Sequence, residues 1–327
     1  MTRVLNVNGE PRLTTKGARH HLRAFVVLIA VVLLAAACSS GSGGSSKSAT
    51  RTSASKSSTT APAPTTTTTT EQPGWTPVSY GPSGIAVDRR SYVAADGSQI
   101  TIVRFRAGQV HFDLHVGSQD PPVGNATIGP NAGPAISAAE QPILLAAFNG
   151  GFQMSTNSGG FEVNNQVLSP LVNGLASFVI NSDGTGHIGI WGQTIPTRGE
   201  VVTSVRQNLA PLVINGQPSP SIANTSAWGA TLGPAPAVAR SALGEDAQGN
   251  IIYAASMSAL PVDLASALIS AGAVTAMELD INPYWVQLAL ASTPGGPLSI
   301  GVPGQERPAD QYQVGWTRDF ITVLSGG

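Results

Sequence analysis

Residues 277–285 hold the pair of side chains in this sequence that is best suited to acid–base chemistry. Glu278 and Asp280 alternate with apolar residues in a predicted strand, so a regular strand would point both carboxylates to one face. Two close carboxylates push one pKa upward, which allows an acid and a base to work at the same pH. Both are therefore candidate catalytic residues, and two solvated acids at a surface strand end are the simpler alternative.

The chain breaks immediately after this strand, in a way that favours a ligand site. Asn282-Pro283 ends the strand, and Tyr284-Trp285 supplies aromatic rings of the kind found in many sugar sites. Ligand sites in α/β sheets tend to lie at the carboxyl ends of strands. Asn282 and Trp285 are therefore candidate substrate-binding residues.

A second candidate follows the apolar run 143–148, which predicts a buried strand. Asn149 comes directly after it, and its amide could bind a sugar hydroxyl or a phosphate oxygen. Gly150 and Gly151 would let the backbone approach a ligand closely, because glycine has no Cβ. A second glycine pair lies within residues 158–162. Two tight turns would explain the same glycines without a ligand.

Two further patterns have simpler explanations than a site. His111, Asp113 and His115 recur at every second residue, so they share one strand face that could coordinate a transition metal. A solvated strand face is the favoured interpretation, because no fourth ligand is evident. Residues 184–189 match G-x-G-x-x-G, but the segment after them resembles a strand rather than a helix. That motif therefore indicates a hairpin turn.

The elements that must position these residues are mostly strands. Alternating segments around turns predict three hairpins, formed by 99–106 with 109–116, 176–181 with 187–191, and 239–244 with 250–256. One helix is clear, because Pro261 suits its first position and Gly272 the position after its end. Strand 274–280 follows this helix. We therefore predict an α+β domain with β-rich mixed sheets, hairpins and few helices, including one strand–helix–strand unit near the C-terminus.

The first 37 residues resemble an export signal. Five basic residues precede the uncharged run 24–37, whose 14 residues suit a signal peptide better than a membrane span. Small residues precede Cys38, which is the sole cysteine, so this segment resembles a bacterial lipobox with Cys38 lipidated after cleavage. An ordinary signal peptide or a short uncleaved anchor remains the alternative.

Composition divides the rest of the chain in two. Segment 38–74 is rich in Ser and Thr and has no large apolar residue, so we predict a disordered tether. Residues 75–327 form the predicted domain. Without residues 1–37 the net charge becomes −5, because five basic residues and one acidic residue are removed. A net negative charge does not favour nucleic acid as a partner. Through the lipid anchor, the membrane would be a partner.

Four of these stretches, in the same order, give the domain a resemblance to the phosphodiester glycosidase domain family. That family has a strand ending Asn-Gly-Gly-Phe, a glycine-bounded hairpin, an Arg-x-Ala-x-Gly strand, and a helix followed by a strand ending Leu-Asp-Gly-Gly-Gly-Ser. The corresponding segments here are 147–152, 160–166, 240–244 and 264–280. Residues 281–284 depart from the family, because Ile-Asn-Pro-Tyr replaces Gly-Gly-Gly-Ser.

The resemblance implies hydrolysis of a sugar-1-phosphodiester, which releases the sugar from a phosphomonoester. It makes Arg240 the candidate phosphate partner, since guanidinium binds phosphate oxygens bidentately. For the acid–base or charge-stabilising role in this reaction, we infer that Asp280 together with Glu278 or Glu162 is the best candidate. The amide donors would come from Asn149, Gly150 and Gly151. No cofactor is implied, and a divalent metal is left open.

Two functions are therefore expected from the sequence. The first is a lipid-anchored extracytoplasmic hydrolase of sugar-1-phosphodiester linkages in cell-wall or extracellular glycans. The second is a non-catalytic glycan-binding or wall-organising lipoprotein on the same fold, which the altered loop 281–284 would suit. Both require a carbohydrate or sugar-phosphate ligand.

Overall fold

The computed structural model of the chain describes residues 74–230 and 233–326. The predicted signal peptide, Cys38 and all but the last residue of the predicted tether lie outside the described residues. The strands are β1 (Thr76–Gly81), β2 (Gly84–Val93), β3 (Gln99–Phe105), β4 (Val110–His115), β5 (Leu144–Asn149), β6 (Phe161–Val163), β7 (Gln166–Ser169), β8 (Ala176–Asn181), β9 (Gly186–Ile190), β10 (Val202–Gln207), β11 (Val213–Ile214), β12 (Gln217–Pro218), β13 (Val238–Asp246), β14 (Ile251–Ala259), β15 (Ala273–Ile281), β16 (Leu288–Ala291), β17 (Leu298–Ile300) and β18 (Phe320–Ser325). The α-helices are α1 (Pro261–Ser270) and α2 (Gln311–Val314).

These strands form three sheets. The first sheet has the order β1-β2-β3-β14-β13-β15-β11-β12. The second has the order β7-β6-β10-β8-β9, and the third the order β17-β16-β5-β18-β4. Within the described residues, two short α-helices and many strands confirm the predicted α+β class, with the strand–helix–strand unit β14-α1-β15 near the C-terminus.

Every pairing between these named strands is antiparallel, although mixed sheets were expected. The reason lies in the connection through α1. Strands β14 and β15 run in the same direction, but β13 is inserted between them and pairs with both. The helical crossover thus produces two parallel strands that are not neighbours.

Two of the three predicted hairpins are confirmed, and one is wrong. Strand β8 pairs with β9, and β13 pairs with β14, as the turn residues predicted. Strand β3 does not pair with β4, because its two edges are taken by β2 and β14. Strand β4 instead pairs with β18 in the third sheet. The turn between β3 and β4 therefore carries the chain from one sheet to another.

The central strands of the first sheet, β13, β14 and β15, are buried on both faces. Met277 and Leu279 of β15 belong to the central core, which the three sheets enclose and which includes the stacked rings of Phe105 and Phe148. Ala276, on the opposite face, packs with Leu268 and the rest of α1. None of the helices in the described part of the chain is long and apolar enough to cross a membrane.

Helix α1 forms where its terminal residues predicted it. Pro261 occupies the first turn, and the Asp263 carboxylate accepts a hydrogen bond from the backbone N–H of Leu260 at 2.8 Å. Such a bond satisfies one of the N–H groups that a helix leaves free at its N-terminus. The helix therefore has a fixed start, and its buried face packs against β13, β14 and β15.

We expect Leu268→Ala to lower the free energy of unfolding by about 2–5 kcal/mol, because Leu268 is fully buried between α1 and the first sheet. The control is Val262→Ala on the exposed side of the same helix, which should change it by less than about 0.5 kcal/mol. Urea denaturation measures both. Equal losses in the two variants would contradict the described packing of α1.

Candidate functional site

Strand β5 ends at Asn149, whose amide is used within the protein. Its Nδ2 donates to Ser241 Oγ at 2.9 Å and to the Gly150 carbonyl at 2.9 Å. Its Oδ1 accepts hydrogen bonds from the Tyr253 hydroxyl at 3.0 Å and from the backbone N–H of Gln287 at 3.2 Å. Asn149 therefore joins the third sheet to β13 and β14, and it is not part of the lining of the cleft described below.

The two glycines after Asn149 allow a buried ion pair to pack against the backbone. A Cβ at Gly150 would overlap the Asp319 carboxylate, and a Cβ at Gly151 would lie 2.8 Å from Arg206 Cζ. The N–H of Gly151 donates to Asp319 Oδ2 at 3.2 Å. The glycines are thus required by close packing.

The ion pair between Arg206 and Asp319 is fully buried. Arg206 Nε lies 2.6 Å from Asp319 Oδ2, and the same guanidinium donates to the carbonyls of Phe152 and Gln207. These contacts fix the loop after β5 against β10 and the residues that precede β18. Arg318, which is adjacent to Asp319 in sequence, is thereby held next to this ion pair.

Glu278 and Asp280 do not share a face, because β15 contains a bulge. Arg240 pairs with Ile281 and Ala242 with Glu278, so three steps along β15 match two along β13. The extra residue reverses the alternation of side chains beyond Glu278. The expectation of two carboxylates on one face of a regular strand is therefore wrong.

Glu278 and Arg240 form a second fully buried pair on the side of the sheet that carries α1. Glu278 Oε1 lies 2.6 Å from Arg240 Nη1, which also donates to the Trp228 carbonyl at 2.8 Å. Glu278 Oε2 and Arg240 Nη2 are buried without a hydrogen-bond partner. Burial raises the pKa of Glu278 to about 8, against the lowering effect of Arg240. Arg240 borders a hollow of about 300 Å³ that adjoins the cleft at Ala230.

Asp280 points into the cleft. Its Oδ2 accepts a hydrogen bond from Arg318 Nη2 at 2.9 Å, and its Oδ1 accepts one from the backbone N–H of Ile281 at 2.7 Å. Arg318 Nη2 also donates to the Gly151 carbonyl at 2.8 Å, and Arg318 Nε lies 3.6 Å from Asp120 Oδ2. Burial raises the pKa of Asp280 to about 7, although Arg318 opposes this shift.

The cleft has a volume of about 140 Å³ and combines acidic, basic and aromatic groups. Its lining includes Gln153, Asp280, Asn282, Trp285 and Arg318. Arg318 Cζ lies 4.8 Å from the centre of the Trp285 ring, a distance typical of a cation–π contact. A carboxyl group with a raised pKa, a guanidinium and an indole ring thus meet in one small space.

The remaining predicted residues lie elsewhere. Glu162 is half-buried on β6, which pairs with β7 and β10 in the second sheet, and it is not part of the cleft lining. Burial raises the pKa of its carboxyl group. The structure therefore groups Asp280, Asn282 and Trp285, and it separates them from Glu162 and from the buried pair formed by Glu278 and Arg240.

The row His111, Asp113 and His115 is not uniformly solvated. His111 is exposed, but His115 is fully buried, with Nε2 2.8 Å from Glu140 Oε1 and Nδ1 3.0 Å from the Gly133 carbonyl. A solvated face was expected, but at its end the His115 ring stacks on the ring of Phe320, its cross-strand neighbour on β18, with 4.3 Å between the ring centres. Within residues 74–230 and 233–326, no group of three His, Cys, Asp or Glu side chains is placed to hold a metal ion.

Sequence reasoning missed Arg318, Asp319 and Arg206. Each is at least 95% buried, which is rare for charged side chains unless they are paired. The available signal was that residues 75–327 contain no lysine and only nine arginines. The Arg318-Asp319 dipeptide directly before the largely apolar segment 320–324 was therefore a candidate for a structural or binding role.

Comparisons with known proteins give similarity at the level of backbone structure only. No family model matches the sequence, and no curated protein matches it. The catalytic domain of zebrafish N-acetylglucosamine-1-phosphodiester alpha-N-acetylglucosaminidase, auto-inhibited by its pro-peptide, is similar with a TM-score of 0.45 and 14% identity, covering 77% of this chain and 87% of that one. A hypothetical protein from Synechocystis has a TM-score of 0.44 and 16% identity, covering 73% of this chain and 62% of that one. A protein from Burkholderia pseudomallei described as exported has a TM-score of 0.37 and 11% identity, covering 74% and 75%.

The environment of Asp280 predicts a specific pH dependence of stability. Because its pKa is raised in the folded protein, from 3.8 to about 7, the folded state binds one more proton than the unfolded state between these values. The contribution of the Asp280 carboxyl group to the free energy of unfolding is fully present below pH 4. It is lost as the pH rises to 7, by up to about 1.4 kcal/mol per pH unit.

This dependence is measured by urea denaturation of the original protein and of Asp280→Asn from pH 4 to pH 8. As the pH rises, the unfolding free energy of the original protein should fall relative to that of Asp280→Asn. The matched control, Asp96→Asn in the exposed turn after β2, should run parallel to the original protein. A constant difference for Asp280→Asn would contradict the raised pKa.

Proposed function

We propose that this domain binds a sugar-1-phosphodiester in the cleft and hydrolyses the bond between the sugar and the phosphate. The observation that carries the proposal is the contact between Asp280, whose pKa is raised to about 7, and Arg318 at 2.9 Å, beside the indole ring of Trp285. The motif order that resembles the phosphodiester glycosidase family supplies the substrate class. Cell-wall and extracellular glycans are the sources that we propose for it.

Each group has a role in this chemistry. Arg318 Nη2 is engaged by Asp280 and Gly151, and Nε is buried beside Asp120, so Nη1 is the nitrogen that we assign to the phosphate oxygens. The ring of Trp285 offers an apolar surface to the sugar. In its ionised form, Asp280 takes a proton from the attacking water, whose oxygen forms a bond to the anomeric carbon as the bond to the phosphate oxygen breaks. A phosphomonoester is a good leaving group, so the second carboxylic acid used by most glycosidases is not required.

We expect the rate to depend on the ionisation of Asp280. Release of free sugar, measured as kcat/KM, should rise with pH up to about pH 7 and then level off, because the base must be deprotonated. Asp280→Asn should lower it by about 10²–10⁴-fold at pH 8, the range typical of general acid–base groups. Asp96→Asn, in an exposed turn, should be unchanged. Equal rates for the two variants would remove Asp280 from the catalytic role.

A non-catalytic glycan-binding function is the second candidate. It is favoured by the fact that both Asp280 oxygens already accept hydrogen bonds, from Ile281 and Arg318, which suits a fixed recognition site. Binding of glycans without release of free sugar under any condition would support this candidate. Measurable release of sugar would exclude it.

We further propose that the protein is held on the outer side of a bacterial membrane by a lipid on Cys38, with residues 39–74 as a tether. The support is the signal-like segment 1–37, which ends at this cysteine. Cys38→Ser should abolish incorporation of labelled palmitate and move the protein out of the membrane fraction. Ser40→Ala is the matched control and should stay in that fraction. Membrane retention and labelling of Cys38→Ser would contradict the anchor.

A further inference from the structure

We infer that the cleft continues into a second subsite, formed by Tyr284 and Arg307, which takes the next sugar unit of an acidic glycan. This inference rests on the proposed function, because it requires the first sugar to lie beside Trp285 in the cleft. It adds that the natural ligand is longer than one sugar and carries negative charge on the unit next to the cleft.

The Tyr284 ring lies next to the cleft and is open to a ligand. It is 47% exposed, the centres of the Tyr284 and Trp285 rings are 6.5 Å apart, and Trp285 itself lines the cleft. This separation is comparable to the length of one pyranose unit. The planes of the two rings are inclined at 63°. A sugar ring on Trp285 would therefore place its neighbour beside Tyr284, where the C–H groups of the sugar meet an aromatic surface.

The backbone holds Tyr284 in a defined position. The turn that carries it is closed by a hydrogen bond from the N–H of Trp285 to the Asn282 carbonyl at 3.1 Å. Asn282 has a φ of 76°, a left-handed conformation that asparagine tolerates better than most residues. Since a preorganised aromatic ring loses little conformational entropy on binding, an exposed ring in such a turn is well suited to recognition.

Arg307 supplies the positive charge of this subsite. Its Cζ lies 5.7 Å from the centre of the Tyr284 ring and 5.0 Å from that of Trp316, so two aromatic rings hold the guanidinium. It forms no ion pair with any carboxylate of the described residues. Arg318, in contrast, lies beside both Asp280 and Asp120. An unpaired cation beside a sugar-sized ring favours a glycan with a carboxylate or phosphate substituent.

The test measures binding of matched oligosaccharides by titration calorimetry of the purified protein. The probes are a panel of uronic-acid trisaccharides, their methyl esters, and the corresponding monosaccharides. We expect at least one trisaccharide to bind about tenfold more tightly than its ester and than its monosaccharide. Tyr284→Ala should reduce the advantage of the longer ligand by about threefold to tenfold, whereas Tyr284→Phe should retain it.

Arg307→Gln should remove the preference for the acid over the ester, so that the ratio of the two affinities falls to about one. The preference in the original protein should weaken with added salt, because it arises from exposed charges. The controls are Tyr80→Ala on β1 and Arg198→Gln, which are exposed residues outside the cleft lining. Thermal melting checks that all variants fold.

The outcomes separate this inference from the proposed function. If no acid binds more tightly than its ester, or if Tyr284→Ala keeps the full advantage of length, the second subsite is overturned. Release of sugar from a one-sugar phosphodiester tests the cleft alone, and it does not require Tyr284 or Arg307. Such release with no effect of length or charge would overturn the subsite and leave the proposed function standing. If length and charge affect binding but no sugar is released from the one-sugar phosphodiester, the second subsite stands and the proposed hydrolysis is overturned.

Discussion

The buried ion pair between Arg206 and Asp319 is the interaction on which the cleft depends. It joins β10 to the start of β18, and the Asp319 carboxylate also receives the backbone N–H of Gly151. Two charges without solvent are costly unless their remaining hydrogen bonds are satisfied, and here carbonyls of neighbouring segments satisfy them. Because the pair lies directly beside Arg318, it fixes the guanidinium that faces Asp280.

Local elements were predictable because their signals are local. Pro261 and Gly272 bracket α1, and the turn after Asn181 produces the hairpin of β8 and β9. The pairing of β3 was not predictable in the same way. A turn motif predicts that the chain reverses direction. Which strands pair with a given strand, however, depends on residues that are far away in sequence. Here β14 takes the edge that β4 would have needed.

The candidate site shows the same division. Asp280, Asn282 and Trp285 are close in sequence, and a single turn brings them to one cleft. Arg318 is 38 residues from Asp280 and approaches it only because the third sheet packs against the first. Glu278 was grouped with Asp280 because side chains two residues apart share a face in a regular strand. This rule fails where a strand contains a bulge. That bulge depends on pairing with β13, and so it has no signature within β15 itself.

The bulge also means that the orientation of Asp280 depends on the difference in length between β15 and β13 as well as on the residue types. Adding one residue to β13 between Arg240 and Ala242 would remove the bulge, restore ordinary alternation in β15 and turn the Asp280 carboxyl group toward α1. Such a chain would still contain every residue that lines the cleft, but it would lose the cleft itself. Sequence divergence in β13 and β15 should therefore tolerate replacement of apolar residues far better than insertions or deletions.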